Sequence, residues 1–127
     1  YSSAASDVYK RQEDEGADAI VASGTGAGGH VGASATMPLV PMIVDAVNVP
    51  VIATGGIGDA RGFLAAFSLG ALGVQIGTRF MATTESDLNA WGLDQLLTMK
   101  ETTTIVSRAM TGSTVRLRKI WQNFAKL

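Results

Sequence analysis

Cysteine is absent from the 127 residues. That excludes a disulfide framework, a thiolate nucleophile and a Cys-ligated metal within this chain, and no metal site is expected. Charge is also scarce: 17% of residues are Asp, Glu, Lys or Arg, and the formal net charge is −1. Such a balance gives no electrostatic footprint for nucleic acid or for a membrane surface. No apolar run approaches the roughly 18 residues that a membrane helix needs. Residues 1–12 contain no apolar segment of the secretory type, so the default compartment is the cytoplasm. Histidine occurs once, as His30.

What remains is a chain rich in apolar residues, 46% of the total, with 15 glycines. Composition of this kind builds a packed core, and the length suffices for one domain. The low charged fraction points further, to part of a larger and well-buried structure. Residues 1–12 carry little pattern and no methionine. They resemble translated adapter sequence and are set aside as an artefactual or disordered leader.

Beyond the leader, one pattern recurs. An apolar strand at 19–22 runs into Gly24-Thr25-Gly26-Ala27-Gly28-Gly29-His30-Val31-Gly32. A helix over 36–47 follows, opened by Pro38 and Pro41 and carrying Val40, Ile43, Val44 and Val47 on one face. A second strand, 51–54, ends at Gly55-Gly56-Ile57-Gly58, where Asp59 is placed to cap the next helix. A third strand, 72–76, ends at Gly77-Thr78. Near-continuous apolar strands separated by helices predict a parallel sheet covered on both faces. Ligands of such sheets sit at the carboxyl ends of the strands, where all the glycine junctions fall. Glycines there let backbone N–H groups approach an anion closely. His30, in the first of these loops, is a candidate acid, base or hydrogen-bond donor.

The remainder, 85–127, reads as a helical and extended tail. A helix is expected over 87–99 and an extended segment over 102–106. Its basic residues, among them Arg108, Arg116 and Arg118, read as a solvated face or as helix-end charges.

These motifs, in order, are similar to those of the nitronate monooxygenase family and of its relatives, the flavin-dependent enoyl-acyl-carrier-protein reductases. The resemblance rests on Ala27-Gly28-Gly29-His30 with Gly32, on Gly55-Gly56-Ile57 followed by Arg61-Gly62, and on Gly73-Val74-Gln75-Ile76-Gly77-Thr78-Arg79-Phe80. It implies an α/β fold: the C-terminal part of an FMN-binding TIM barrel, about three βα units plus a helical tail. A whole barrel takes about 250 residues. Residues 13–84 would supply its last βα units and residues 85–127 the tail, with the opening strands missing. The absent barrel half, or self-association through unpaired strand edges, would then complete the structure.

The resemblance assigns FMN contacts to Ser23, Gly28, Gly55, Gly56, Gln75, Ile76, Gly77 and Thr78, with the phosphate on the loops after the second and third strands. It makes His30 the catalytic group. The implied reaction oxidises alkyl nitronates with molecular oxygen to a carbonyl compound and nitrite, the fragment alone being inactive. Two alternatives stand beside it: a flavin-dependent enoyl reductase, and a non-catalytic truncated barrel. Two positions depart from the family pattern. Ser23 stands where glutamine is frequent, and Gly26 where an acidic residue is usual. Arg61 and Arg79 are read as structural ion-pair candidates.

Overall fold

Val51, Ile52, Ala53 and Thr54 lie between Pro50 and Gly55, two residues that interrupt regular structure on either side. In the computed structural model, which describes residues 4–108 and 112–118, they form the central strand of a parallel sheet. Its strands are β1 (Ile20–Ser23), β3 (Val51–Thr54) and β4 (Gly73–Gln75), in spatial order β1-β3-β4. Ile20 stands opposite Val51 and Ser23 opposite Thr54, while Ile52 pairs with Gly73 and Thr54 with Gln75.

Side chains alternate across a strand, so each strand has two faces. Ile20, Ala22, Val51 and Ala53 point to one side and are buried. Helix α2 (Thr36–Val44) covers them with Leu39, Val40 and Ile43, and α3 (Ala60–Ser68) adds Ala66. Each large aliphatic side chain buried here is worth about 1.5–3 kcal/mol. The opposite face carries Val21, 42% exposed, and opens on a cavity. A sheet covered on both faces was expected. One face is open because it corresponds to the interior side of a barrel wall, which other strands would line.

Asp59 caps α3 as anticipated, its carboxylate accepting from the N–H groups of Arg61 and Gly62. Helix α2 ends at Val44, short of the expected Val47, which is nonetheless buried. Strand β4 is shorter than the expected 72–76: Leu72 is 70% exposed and Ile76 lies past the last paired residue.

The leader is helical from Ala4. Helix α1 (Ala4–Asp14) takes up residues 4–12 of the stretch set aside as a leader. No proline or glycine interrupts the stretch from Ala4 to Glu15, and Tyr9 packs on the core. Lys10 pairs with Glu13 and, at 3.4 Å, with Asp14. Glu13 also accepts from the Asn48 N–H at 2.8 Å, fastening α1 beside the end of α2.

The tail is not a separate appendage. Short helices α4 (Thr78–Met81) and α5 (Ala90–Leu97) lead through a 3-10 turn at Glu101–Thr103 into β5 (Thr104–Ser107) and β6 (Val115–Arg118). These pair antiparallel with each other, and β6 pairs with β2 (Gly29–His30) in the histidine loop, giving a second sheet of order β2-β6-β5. No helix among the described residues is long and apolar enough to cross a membrane.

Candidate active site

The three glycine junctions meet at one end of the parallel sheet because neighbouring strands bond across them. The Gly24 N–H donates to the Thr54 carbonyl at 3.1 Å. Thr54 Oγ1 donates to the Gln75 carbonyl at 2.9 Å. Thr36, at the start of α2, reaches back and donates to the Gly55 carbonyl at 2.8 Å. A cavity of about 770 Å³ opens above these bonds. Ser23, Gly28, Gly55, Gly56, Gln75, Gly77 and Thr78 all lie on its wall. Its size falls within the span usual for small-molecule sites, about 300–1,000 Å³.

Glycine is required in this wall for two different reasons. Gly55 has φ 112°, and a Cβ there would sit 2.8 Å from Ala27 N and from Thr36 Oγ1. The residue is needed for close packing of one loop on the next. Gly56 has φ 74°, but a Cβ on it would meet nothing within 4 Å. Gly28 and Gly77 are similarly open on the side a Cβ would occupy. Among the described residues, nothing accepts from the N–H groups of Gly56 and Gly77. Free donors on a wall bare of side chains suit an anionic group that must approach the backbone closely.

The two expected ion-pair arginines separate. Arg61 is paired with Asp59, Nη2 to Oδ2 at 2.5 Å and Nε to Oδ2 at 2.9 Å. That guanidinium, with the Gly62 and Arg61 N–H groups, holds the Asp59 carboxyl below its usual range, and Arg61 is raised in turn. Arg79 has no carboxylate partner among the described residues and lies on the cavity wall beside Thr78. Sequence reasoning classed it as structural. The signal available was its position directly after Gly77-Thr78, at a strand's carboxyl end.

Two of the expected site residues fall outside this wall. Ile76 faces an adjoining cleft of about 810 Å³ with Phe63 and Phe80, which meets the main cavity at Arg79. His30 is exposed and borders a separate hollow of about 480 Å³ with Arg108, Gly112 and Thr114, although its neighbour Gly29 is on the main wall. The imidazole therefore lies off the main wall, one residue along the chain from a glycine that is on it. Leu96 and Leu97 of α5 line the main cavity as well and were not anticipated.

Of the tail's basic residues, Lys100 and Arg108 are exposed as a solvated face would be, Arg116 and Arg118 are half-buried, and Lys119 and Lys126 lie outside the described residues. Arg116 Nε donates to the Thr25 carbonyl at 2.7 Å, and its Nη1 to Thr104 Oγ1 at 2.8 Å. Arg108 Nε donates to Thr114 Oγ1 at 3.2 Å, and Arg118 donates to Gln95. Each guanidinium is spent on a neutral oxygen that folding brings near, which composition cannot reveal.

A family model for nitronate monooxygenase matches residues 2–125. The chain belongs to the nitronate monooxygenase family. A probable nitronate monooxygenase of Staphylococcus aureus is 46% identical over 114 residues, covering 82% of this chain and 32% of that protein. The chain thus spans about a third of the length of the curated relatives it matches. Among solved structures, FabK from Thermotoga maritima superposes with a TM-score of 0.88 at 38% identity, over 95% of this chain and 40% of that one. A nitroalkane oxidase from Streptomyces ansochromogenes gives 0.81 at 28% identity, over 95% and 39%. Both are barrel proteins, and the sheet β1-β3-β4 with its helices is part of such a barrel. In this chain, the loops that carry the ordered motifs are those that line the cavity.

Proposed function

We propose that this chain forms the phosphate-binding wall and carries the acid–base group of an FMN-dependent nitronate monooxygenase. The reaction would oxidise alkyl nitronates with molecular oxygen to a carbonyl compound and nitrite. The observation that carries the reading is the cavity wall at the strand ends, where Gly56 and Gly77 offer N–H donors with no side chain in the way.

The residues present fit the cofactor. Gly55, Gly56, Gly77 and Thr78 would hold the phosphate through backbone N–H groups and the Thr78 hydroxyl, and Arg79 supplies the nearby positive charge. Ser23, Gly28 and Gln75 would border the rest of the flavin, with Ile76 in support from the adjoining cleft. When bound, FMN supplies the redox chemistry with oxygen, while the protein sets orientation and electrostatics. His30 would hold the nitronate oxygens by donating a hydrogen bond or, where the neutral nitroalkane binds, take the proton α to the nitro group. Leu96 and Leu97 add apolar surface to the main cavity, which favours exclusion of water there.

The test is turnover by the intact protein with propionate nitronate. His30→Ala should lower kcat about 10²–10⁴-fold while flavin binding persists. A His30→Ala protein as active as the wild type would remove the histidine from the mechanism. The superposition on FabK favours a second reading, a flavin-dependent enoyl reductase. It requires bleaching of the flavin by a reduced nicotinamide cofactor and turnover of an enoyl thioester.

A further inference from the structure

The histidine loop does not hold itself in place. Strand β2 is two residues long, and its only strand partner among the described residues is β6, with Gly29 opposite Arg116 and His30 opposite Val115. The pairing continues past β2, where the Val31 N–H donates to the Thr114 carbonyl at 3.0 Å. The half-buried Arg116 side chain then reaches the other end of the loop. Its Nε donates to the Thr25 carbonyl at 2.7 Å, across 91 residues of sequence, and its Nη1 is fixed by Thr104 Oγ1 at 2.8 Å. The Thr25 N–H donates to the Ser34 carbonyl at 2.9 Å and closes the loop at its base. One arginine therefore clamps the first turn of the loop to β5, while its own backbone forms the ladder beside His30.

We infer that Arg116 is a positioning residue for His30, and that the β5–β6 hairpin is the template that sets where the imidazole stands relative to the cavity. This rests on the reading of His30 as the acid–base group. A guanidinium suits the task because its planar fork bonds two oxygens at once in fixed geometry, which an ammonium cannot do. Thr25 lies in the histidine loop and Thr104 opens β5, so losing the fork unties the loop from the hairpin, while its packing of Ala27 on Gly55 remains to hold it at the cavity wall.

The experiment compares the intact protein with Arg116→Gln and Thr104→Val. Expected for Arg116→Gln is a kcat lower by about 10- to 100-fold, as for a misplacement of a catalytic group by about 1 Å. FMN affinity should fall less than kcat, and the His30 imidazole resonances, assigned by their loss in His30→Gln, should shift or broaden. Thr104→Val, which removes one arm of the fork, should lower kcat by about two- to tenfold. It also carries the test if Arg116→Gln fails to fold. Unmoved His30 resonances, or FMN affinity falling in step with kcat, would overturn the assignment. If the wild type turns over no nitronate, the functional reading fails, while the His30 resonances still decide the positioning role.

Discussion

The Thr36 hydroxyl donates to the Gly55 carbonyl at 2.8 Å, and Gly55 packs so tightly there that any Cβ would collide with Thr36 Oγ1 and Ala27 N. Gly56, the next residue, has open space around the same position. Adjacent glycines thus differ: Gly55 is required by packing alone, whereas Gly56 leaves open space on the proposed phosphate wall. Gly55→Ala should cost about 2–4 kcal/mol from backbone strain and collision together. Gly56→Ala should cost only the left-handed backbone term, about 1–2 kcal/mol, yet lose FMN. Urea unfolding paired with flavin titration separates the two.

Arg79 should distinguish the phosphorylated flavin from its precursor. With no carboxylate to neutralise it among the described residues, its charge is available to a phosphate. Arg79→Gln is expected to weaken FMN about 10- to 100-fold, the worth of one charge-assisted hydrogen bond, with riboflavin affinity unchanged. Equal losses for both flavins would place Arg79 in a purely structural role.

The cap on α3 should show in acid. Arg61 and the Gly62 N–H depress the native Asp59 carboxyl, so the unfolded state binds the proton more readily. The stabilisation is present above the unfolded carboxylate value of about 3.9 and fades as pH falls from there through the lower native value. Asp59→Ala should reduce the thermal midpoint at pH 7, and the gap from wild type should narrow steadily below about pH 4. A gap independent of pH would mean that the carboxylate charge contributes nothing.

Core packing is concentrated under α2. Ile43 is fully buried against β1 and β3, whereas Val44, one residue on, is only partly so. Ile43→Ala should cost about 2–5 kcal/mol through lost burial and a cavity. Val44→Ala should cost less than about 1.5 kcal/mol, both read from denaturant midpoints.

What could be read from the sequence followed from local chemistry. Strand β3 was legible because a β-branched apolar run is bracketed by Pro50 and Gly55. Asp59 was legible as a cap because its role depends on residues two and three positions ahead. Most of the cavity wall was also legible, since glycines at strand ends mark where backbone meets ligand. The β2–β6 pairing was not, because a two-residue strand has no periodicity and its partner lies in the tail, across a separation that local pattern does not sample. Arg116 was misread for the same reason: its bonds go to a carbonyl and a hydroxyl, and neither is visible as a charge pattern. The helix over Ala4–Asp14 was missed because its residues carry a weak apolar face, and its contacts, Tyr9 on the core and Glu13 on the Asn48 N–H, are distant in sequence.

Adding propionate nitronate anaerobically to the flavin-loaded intact protein tests the central claim most directly. The expected result is bleaching of the flavin absorbance, followed by nitrite release once oxygen is admitted. No spectral change with any alkyl nitronate, together with bleaching by a reduced nicotinamide cofactor and turnover of an enoyl thioester, would contradict it and assign the site to the reductase chemistry instead.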